Sequence, residues 1–348
     1  MKLLILGGRG HIGRQVVSAL RKSGLDQVSV GSHSESSGTI RLDLLAPDTF
    51  KSVDPFDVVV NCTDTYFLPP DKLIEHCLGR PIIFVETSAE AGLYIRIEAL
   101  SHRIQKAGQL VGSVLCGSGA YPGLSNLLAG RALDLSADRE VELFIHWSVF
   151  SGAGEGTCEV MVQTLSKPAL FCADGKVQSG PPIGSIRNHS YFRSAYYGVQ
   201  LGLPESVLLS QSRSVLQCRV FVSVHPEVPK AAMKVLSWLA RVGTFKFSWV
   251  QAILRAYFRL IRRRLLFRKT TPVEIQARTK HQGLSLKIND AFRAGGESIA
   301  TAIDLMRAKK PGPGCFYQDK FFDFNVYVKR WNELEFQKLE IAVLANDA

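Results

Sequence analysis

The stretch LLILGGRGHIG, residues 3–13, decides the fold of this chain. Residues 2–6 form a short apolar run that ends at glycine, which is typical of a buried β-strand. From residue 11 to residue 22, apolar side chains recur at helical spacing, namely Ile12, Val16, Ala19 and Leu20. Four glycines therefore lie at the junction of a strand and a helix, where the chain must turn sharply.

Within this stretch, residues 8–13 match the pattern GxGxxG between a strand and a helix. Gly8 is expected to allow the tight turn, Gly10 to let the backbone approach a pyrophosphate, and Gly13 to let helix and strand pack closely. A pyrophosphate would lie at the helix N-terminus, where N–H groups and the dipole attract an anion. The alternative is a glycine-rich turn without a ligand. The context favours a dinucleotide site with the loop Gly8, Arg9, Gly10, His11, Ile12 and Gly13.

The end of the second strand indicates which dinucleotide binds. The strand at 27–30 continues into Gly-Ser-His-Ser, so Ser32 and His33 lie where an NAD site usually has an acidic residue. Arg9 is suited to a forked contact with a 2′-phosphate, and the sequence therefore favours NADP over NAD. The alternatives are a solvated Arg9 and an exposed turn at His33. Glu35 would reach the ribose after a one-residue shift of the turn.

Strands and helices continue to alternate along the N-terminal part of the chain. Apolar and periodic runs predict strands at 39–42, 57–61, 81–86 and 109–116, and helices at 71–78 and 93–107. Such alternation predicts a doubly wound parallel sheet, which binds ligands beyond the carboxyl ends of its strands. Polar residues after these strands are expected at the cofactor: Asp43, Asn61, Cys62, Thr63 and Thr87. For each of them, an ordinary strand-end cap or turn is the alternative.

Length and composition limit the class of protein. A chain of 348 residues with 46% hydrophobic and 21% charged residues is typical of a soluble two-domain protein. The seven cysteines are scattered without a CxxC pair or zinc-ligand spacing, so we expect reduced thiols and no metal site. The first apolar run is too short for a signal peptide, and no apolar window is long enough to span a membrane. We therefore expect a cytoplasmic protein.

A second specific stretch is PGLSNLLA, residues 122–129, which follows the last predicted strand. It resembles the segment after the last parallel strand in saccharopine dehydrogenase-like oxidoreductases. Physically it predicts a helix start, with Pro122 in the first turn and amide groups that meet an anion. Residues 151–157 resemble the glycine-rich turn of the family's second domain. The helix at 299–306 with the following KKPGPGCFY resembles the family's C-terminal segment.

The resemblance covers nearly the whole chain and implies a two-domain α/β protein. It implies an N-terminal Rossmann domain with a doubly wound parallel sheet at 1–134, rejoined by 290–348. A second mixed α/β domain at 135–289 would bind the substrate and form a homodimer. Members of the family are NAD(P)-dependent and transfer hydride to a polarised double bond, while the protein supplies position and a proton.

One departure from the family concerns the substrate. Family members that act on amino acids often have an acidic residue just before the Pro-Gly pair, where this chain has Tyr121. An acidic residue would suit a cationic amine, whereas tyrosine offers a proton donor or an aromatic wall. We therefore expect a hydrophobic or carrier-linked substrate rather than a free amino acid.

Few side chains are suited to donate a proton or to bind the substrate. Tyr121 and His146, which lies in a predicted strand, are the candidate catalytic residues. Ser118, in the turn before the Pro-Gly pair, and Arg193 and Tyr197, in an aromatic and basic cluster, are candidate substrate contacts. The structural alternatives are a packing aromatic at 121, a core histidine at 146, a turn serine at 118, and a core or interface role for the cluster.

The net charge of +11 is concentrated in one segment. Residues 251–270 contribute +7 without an acidic residue and leave +4 for the rest of the chain. Apolar residues alternate with arginines at steps of three and four between 249 and 269, which predicts a basic amphipathic helix typical of membrane-surface segments. The alternative is a helix whose apolar stripe packs on the second domain. A nucleic acid partner is not expected, because no nucleic-acid motif accompanies the charge.

These observations predict an NADP-dependent reductase that transfers hydride to an imine, carbonyl or activated alkene of a hydrophobic or carrier-linked substrate. One alternative is an amino-acid or opine-type dehydrogenase that acts on a C–N bond, with Arg193 at the substrate carboxylate. Another is a non-catalytic NADP-binding protein at a membrane surface. Hydrolase and kinase functions are not expected, because the chain has no nucleophile elbow, paired catalytic carboxylates or loop ending in GK[ST].

Overall fold

Strands and helices alternate along the chain in a computed structural model that describes residues 1–25, 27–34, 38–148, 155–191, 194–225, 227–265 and 272–344. The strands are β1 (Leu3–Leu6), β2 (Val28–Ser32), β3 (Thr39–Arg41), β4 (Val58–Asn61), β5 (Ile83–Glu86), β6 (Ser113–Cys116), β7 (Glu140–Ser148), β8 (Ala169–Ala173), β9 (Lys176–Gly180), β10 (Ile183–Tyr191), β11 (Ser194–Leu201), β12 (Gln217–His225), β13 (Val273–Arg278), β14 (Gly283–Ile288), β15 (Gly314–Tyr317) and β16 (Glu340–Leu344). The α-helices are α1 (His11–Lys22), α2 (Asp71–Leu78), α3 (Ala91–Lys106), α4 (Ser125–Ser136), α5 (Glu155–Ser166), α6 (Pro204–Arg213), α7 (Lys230–Arg241), α8 (Ser248–Leu265), α9 (Ala291–Ala308), α10 (Gln318–Phe321) and α11 (Phe324–Glu333). Short 3₁₀-helices lie at Pro47–Val53 and Thr244–Lys246.

The chain divides into two compact units. Unit 1 comprises Met1–Leu127 and Phe292–Phe336, and unit 2 comprises Leu128–Ala291 and Gln337–Ala348. The last segment differs from the expectation that residues 290–348 rejoin the first domain as a whole. The reason is strand pairing, because β16 lies antiparallel to β14 and so extends the sheet of unit 2.

Unit 1 is built on a parallel sheet. Within the described residues its seven strands lie in the order β15-β6-β5-β4-β1-β2-β3, and every neighbouring pair is parallel. All residues of β1, β4, β5 and β6 are buried, as expected for strands of a sheet covered by helices on both faces. The strand order reverses between β1 and β4, and such a switch point is where open α/β sheets bind ligands.

Elements from the C-terminal part of the chain complete unit 1. Helix α9 packs so closely on α1 that a Cβ atom on Gly296 would lie 2.5 Å from the backbone carbonyl carbon of Gln15. After α9, β15 joins the edge of the sheet beside β6. Tyr327 and Trp331 on α11 are completely buried and fill the core of this unit.

Unit 2 is built on a mixed sheet. In the part of the chain that the structure describes, the main strand order is β10-β11-β12-β7-β13-β14-β16, with β8 beside β12 and β9 beside β8. β12 and β7 are parallel, whereas the other pairs are antiparallel. Helices α7 and α8 and the turn between them pack on β10 and β11 through one apolar cluster, the helix-pair core: Ile183, Tyr197, Val199, Ala240, Phe245 and Val250.

Candidate functional site

The turn after β1 is the first part of the candidate site. Gly7, directly after the strand, has a φ angle of +69°, which residues with a side chain rarely adopt. Its carbonyl oxygen accepts a hydrogen bond from Gly10 N at 2.8 Å. The sequence motif assigns the tight turn to Gly8. In the structure the turn depends on Gly7 instead.

Gly8 and Gly13 are required because the chain packs closely on itself. A Cβ atom on Gly8 would lie 2.9 Å from Val30 Cγ1 on β2. A Cβ atom on Gly13 would lie 2.2 Å from Gly7 O and 2.6 Å from Gly8 Cα. Backbone atoms cannot move aside as a flexible side chain can, so only glycine fits at position 13. The structure thus has the close packing of helix and strand that the motif requires.

Helix α1 begins without a capping side chain. Its N-cap is Gly10, and no acidic residue lies in its first turn. Arg9, Gly10 and His11 are exposed, Ile12 is half-buried, and the His11 ring meets Phe292 edge-on with ring centroids 4.6 Å apart. The positive end of the helix dipole therefore lies where an anion can approach it.

The end of β2 lies next to the end of β1, because Leu6 and Gly31 are paired. Ser34 N donates to Ser32 Oγ at 3.3 Å, and His33 is exposed. The described residues at this strand end therefore present hydroxyl and imidazole groups and no carboxylate. Glu35 lies outside the described residues.

Asp43 follows β3 and stabilises a turn. Its Oδ1 atom accepts a hydrogen bond from Leu45 N at 2.9 Å, and its own N–H donates to Thr49 Oγ1 at 3.0 Å. These bonds are those of an ordinary turn that leads into the 3₁₀-helix at Pro47–Val53. The contact of Asp43 with a cofactor stays a prediction.

The carboxyl ends of β4 and β5 are joined by a hydrogen-bonded network, which we call the β4–β5 network. The buried Glu86 carboxylate accepts from Asn61 Nδ2 and from the N–H groups of Thr87 and Ser88, each at 2.9 Å. Asn61 Oδ1 accepts in turn from Thr63 Oγ1 at 2.7 Å and Thr63 N at 3.2 Å. Asn61 O accepts from Thr87 Oγ1 at 2.7 Å. Asn61, Thr63 and Thr87 thus lie together in this network, and their side chains fix the backbone of the strand ends. Their contact with a cofactor stays a prediction.

Glu86 is the residue of this edge that no sequence motif indicates. Burial raises the pKa of its carboxyl group to about 7, against the hydrogen bonds from Asn61, Ser88 and Thr87, which lower it. Burial and the nearby Glu86 also raise the pKa of the Cys62 thiol to about 12, so this thiol stays neutral at physiological pH. The signal in the sequence is a carboxylate at the last position of an otherwise apolar strand.

An irregular turn, residues 117–124, follows β6. The Tyr121–Pro122 peptide is cis, and Gly123 has a φ angle of +134°. The expected position of Pro122 in the first turn of a helix is wrong, because its ψ angle of 159° is extended and α4 begins only at Ser125. Tyr121 is half-buried in this turn.

Two buried oxygen atoms near this turn have no hydrogen-bond partner among the described residues: Ser118 Oγ and Gln318 Oε1. The amide nitrogen of Gln318 donates to Ser298 Oγ and Tyr327 Oη, both at 3.1 Å. The amide orientation is therefore fixed, and a Cβ atom on Gly123 would lie 3.5 Å from the unpaired oxygen. Because buried polar atoms are normally paired, these two are suited to bind a ligand.

His146 lies in unit 2, on β7, and is 4% exposed. Its ring centroid is 4.4 Å from that of Tyr196. Burial and the nearby His225 lower the pKa of His146 to about 4, so its imidazole is neutral at physiological pH. Its catalytic role stays a prediction.

Tyr197 belongs to the helix-pair core of unit 2. Its hydroxyl donates to Val228 O, and its N–H donates to Glu227 Oε1 at 3.1 Å. These contacts are typical of a structural tyrosine. Arg193, the other predicted substrate contact of this cluster, lies outside the described residues, as do residues 151–154 of the glycine-rich turn.

The mixed sheet of unit 2 also contains a row of buried polar side chains. Ser223, His146 and Glu274 lie opposite each other on β12, β7 and β13. In the next row, the Gln276 side chain donates to Glu274 and bonds His189. This row thus places ionisable and neutral polar groups side by side in the interior of unit 2.

Neither a protein-family model nor a curated protein matches the chain. Solved structures do match it. Apo saccharopine dehydrogenase (L-Glu forming) from Saccharomyces cerevisiae is 12% identical, over 99% of this chain and 100% of that chain, with a TM-score of 0.63. This chain has the saccharopine dehydrogenase fold. A C. glutamicum DAP dehydrogenase with DAP and an engineered D-amino acid dehydrogenase bound to NADP⁺ are each 13% identical, over 92% of this chain and 93% of theirs, with TM-scores of 0.45.

The saccharopine dehydrogenase fold confirms the predicted architecture of a parallel Rossmann sheet and a second, mixed sheet with helices. The carboxyl edge of the parallel sheet bears these predicted residues: Gly8, Arg9, Gly10, His11, Ile12, Gly13, Ser32, His33, Asp43, Asn61, Cys62, Thr63, Thr87, Ser118 and Tyr121. In the described part of the chain, no three His, Cys, Asp or Glu side chains are grouped to bind a metal ion.

Proposed function

We propose that the protein is an NAD(P)-dependent oxidoreductase that acts on a carbon–nitrogen bond of a small molecule. The main support is the packing of Gly13 against Gly7 O, which leaves the uncapped N-terminus of α1 at the carboxyl edge of a parallel sheet. Rossmann sheets bind the pyrophosphate of a dinucleotide in this arrangement. The likeness of the fold to yeast saccharopine dehydrogenase supports the same class of reaction.

The residues at this edge fit a nicotinamide dinucleotide. Amide groups in the first turn of α1, together with Arg9, would hold its phosphates. The unpaired oxygens of Ser118 and Gln318 would accept hydrogen bonds from bound molecules, and the β4–β5 network keeps the neighbouring strand ends in place. When bound, the nicotinamide ring supplies or accepts the hydride of the reaction.

Tyr121 is the proposed proton donor of the reduction. Its Oη atom would give a proton to the nitrogen or oxygen atom of the substrate's double bond and take the proton back in the reverse direction. A backbone bond of 3.0 Å from Leu124 N to Gly119 O closes the turn in which Tyr121 lies. His146 is less suited to this role, since burial keeps its imidazole neutral.

NADP is the proposed cofactor. Arg9 is exposed in the glycine loop, and the described residues at the end of β2, which are Ser32, His33 and Ser34, include no carboxylate. A guanidinium group binds a 2′-phosphate through two charge-assisted hydrogen bonds. A ribose 2′-hydroxyl, in contrast, is usually bound by an acidic residue at this place.

Two classes of substrate follow from different observations. An imine or amine of an amino-acid-like molecule is proposed first, because the fold is that of a saccharopine dehydrogenase. A carbonyl or activated alkene of a hydrophobic or carrier-linked molecule is the second candidate, favoured by Tyr121 in the place of an acidic residue. With either substrate, we propose a homodimer and a substrate-binding role for residues 135–289.

Titration of the purified protein with NADPH and NADH, followed by cofactor fluorescence, tests the proposal. We expect Gly13→Ala to weaken the binding of both about 10-fold or more, because a Cβ atom 2.2 Å from Gly7 O displaces the loop. Gly79→Ala is the matched control, since its Cβ atom would lie 3.7 Å from the nearest atom, and it should bind both as the wild type does.

Arg9→Ala tests the choice of cofactor. We expect its NADPH affinity to fall about 10-fold, the effect of a lost charge-assisted hydrogen bond, with NADH affinity unchanged. Tighter binding of NADH by the wild type would contradict the NADP preference, and binding of neither would contradict the function. NADPH consumption with panels of imines, ketones and enones then decides between the two classes of substrate.

A further inference from the structure

Helices α7 and α8 of unit 2 form a hairpin, the α7–α8 hairpin, with an apolar outer surface. Eight large apolar residues on these helices and their connection are between 50% and 63% exposed: Val235, Trp238, Val242, Phe247, Trp249, Ile253, Tyr257 and Leu260. On α8 the spacing of four, four and three residues places its members on one stripe. Single exposed apolar residues are normal on a protein surface, but a set of this size indicates an interaction site.

These exposed residues are additional to the apolar face that the hairpin buries. Ala240, Phe245 and Val250 are at most 9% exposed and fill the helix-pair core, and Leu254 packs against it. The structure therefore answers the question that the sequence leaves open for this segment. Helix α8 does pack an apolar stripe on the second unit, and it also presents another one to solvent.

The charge of the hairpin is wholly basic. Between Glu227 and Glu274 the chain has 11 lysines and arginines and no acidic residue, which equals the formal net charge of +11 of the whole protein. Basic side chains that the structure shows as exposed lie among the apolar ones: Lys234, Arg241, Lys246 and Arg259. Nine of these cations belong to residues 230–265 of the hairpin, and Arg268 and Lys269 follow it. The rest of the chain is therefore neutral in sum, and the net positive charge of the protein comes from the hairpin and the residues after it.

Arg255 is an exception that anchors α8 to the rest of unit 2. Its guanidinium binds both carboxylate oxygens of the buried Glu159 on α5, at 2.7 and 3.0 Å. The remaining cations of the hairpin have no such acidic partner on their own helices, because α7 and α8 contain none. This ion pair anchors the hairpin, while Lys234, Arg241, Lys246 and Arg259 are exposed.

A cleft beside α7 combines the same two properties. It has a volume of about 320 Å³ and lies between α7 and residues 184–186 of β10. Lys234, Trp238 and Arg241 line it, and so do Ser185 and Ser237. Two cations and an indole ring suit a phosphate group that has an apolar portion next to it. The hydroxyl groups of Ser185 and Ser237 are already donated to Gln200 Oε1 and Ile183 O, so the two cations would bind the phosphate.

We propose that the α7–α8 hairpin docks on the surface of a membrane that contains anionic phospholipids. The apolar stripe would enter the boundary between headgroups and acyl chains, the basic residues would contact the headgroups, and the cleft would take one lipid phosphate. A second copy of the chain fits this surface poorly, because it would bring two strongly basic surfaces together. No helix in the described residues is long and apolar enough to cross a membrane. The inference does not depend on the oxidoreductase proposal.

Sedimentation of the full-length protein with vesicles tests the inference. We expect binding to vesicles of phosphatidylcholine with phosphatidylserine, weak binding to phosphatidylcholine alone, and loss of binding at high salt. Each basic residue near an anionic surface is worth about fivefold in affinity, so Lys234→Glu/Arg241→Glu should lower it by at least about 25-fold. Trp249→Ser/Ile253→Ser should lower it comparably on the same vesicles without changing the salt dependence.

Matched variants elsewhere on the molecule serve as controls. Lys72→Glu/Lys106→Glu makes the same change in net charge in unit 1. Leu135→Ser/Val326→Ser removes two apolar side chains that are 48% and 55% exposed outside the hairpin. Both controls should bind vesicles as the wild type does, and circular dichroism should show that all variants are folded.

Three results would overturn the inference. The first is equal binding by the hairpin variants and the controls, or no binding of the wild type to either kind of vesicle. The second is a dimer that dissociates in Trp249→Ser/Ile253→Ser, which would assign the surface to a second copy. The third is salt-dependent binding to single-stranded nucleic acid that is stronger than binding to the anionic vesicles.

Discussion

Glu86 places an ionisable group inside the carboxyl edge of the parallel sheet. Its pKa rises from 4.5 to about 7 on folding, so between these values the folded protein binds more protons than the unfolded chain. The free energy of unfolding therefore falls as the pH rises through this range, by about 3 kcal/mol for this group. In Glu86→Gln this loss should be absent. Urea unfolding at a series of pH values measures this difference. Between pH 4.5 and 7, the free energy of unfolding of Glu86→Gln should rise by about 3 kcal/mol relative to that of the wild type.

Glu75→Gln on α2 is the control for this prediction, because Glu75 is half exposed and pairs with Arg103 at the surface. Its stability should follow the wild type across the pH range, and the same behaviour in Glu86→Gln would contradict the raised pKa. The Glu86→Gln variant also turns an amide toward Asn61, which must then rotate and give up its bond to Thr63 N. We therefore expect weaker NADPH binding at every pH.

Ser118→Ala separates a binding role from a structural one. Because Ser118 Oγ has no partner in the described residues, its removal should leave the free energy of unfolding unchanged or raise it by about 1 kcal/mol. NADPH affinity should fall about 2- to 10-fold if this oxygen contacts the cofactor. Ser113→Ala is the counterpart. The Ser113 hydroxyl donates to Gly312 O at 2.9 Å, so this variant should have a free energy of unfolding about 1 kcal/mol lower and an unchanged NADPH affinity. Chemical unfolding and fluorescence titration measure both quantities, and a destabilised Ser118→Ala would contradict the prediction.

At the scale of single residues, the sequence predicts the glycine loop well and the neighbouring network poorly. The need for glycine at position 13 can be predicted from local spacing, because Gly7 and Gly8, against which Gly13 packs, are close to it in the chain. Overlapping glycines hide which one has the positive φ angle, so Gly7 is missed. Glu86 is missed for another reason: its partner Asn61 lies 25 positions away, and only the pairing of β4 with β5 brings them together.

An ion pair joins α8 to α5. Glu159 is 4% exposed and binds Arg255 through both carboxylate oxygens, and Arg255 lowers its pKa. Arg255→Met leaves a buried carboxylate without its cation and should lower the free energy of unfolding by about 2 kcal/mol or more. Glu159→Gln/Arg255→Met should recover part of that loss. Because the pKa is depressed, the advantage of the wild type should exist above the ordinary pKa of glutamate and disappear as the pH falls below it.

Arg103→Met provides the comparison for this ion pair, since its pair with Glu75 joins side chains that are 67% and 49% exposed. Exposed pairs contribute little, so this variant should stay within about 0.5 kcal/mol of the wild type. Equal effects of the two arginine substitutions on urea unfolding would mean that burial of Glu159 does not strengthen its pair.

At the scale of elements, prediction succeeds where periodicity and position agree. The strands of the parallel sheet are apolar runs that end in glycine or polar residues, and β4, β5 and α2 lie within about two residues of their expected positions. Pro122 is misplaced, since a proline before a helix fits either its first turn or an extended turn. The faces of α8 are also ambiguous, because a helix with two apolar stripes has no unique buried side until the tertiary structure chooses one.

The whole molecule has two candidate binding surfaces on two different units. The glycine loop belongs to unit 1, whereas the basic apolar hairpin belongs to unit 2. Composition alone hides this division: a net charge of +11 suggests a generally basic protein, although its source is the 46 residues between Glu227 and Glu274. β16 pairs with β14, which is far away in the sequence, and each unit is built from two separate segments of the chain. Because these contacts are not local, the exact boundaries of the two units do not follow from the sequence.

Hydrogen exchange on the full-length protein should separate these two surfaces. At a concentration 100 times its Kd, NADPH stabilises the fold by about 2.7 kcal/mol, and protection should be largest in peptides covering residues 7–13, 61–63 and 117–124. Anionic vesicles should instead protect residues 235–260, where the exposed apolar residues lie. In Gly13→Ala only the first pattern should weaken, and in Lys234→Glu/Arg241→Glu only the second. Protection of the hairpin by NADPH alone would show that this cofactor also binds or orders α7 and α8, and the two surfaces would then have to be treated as one functional site.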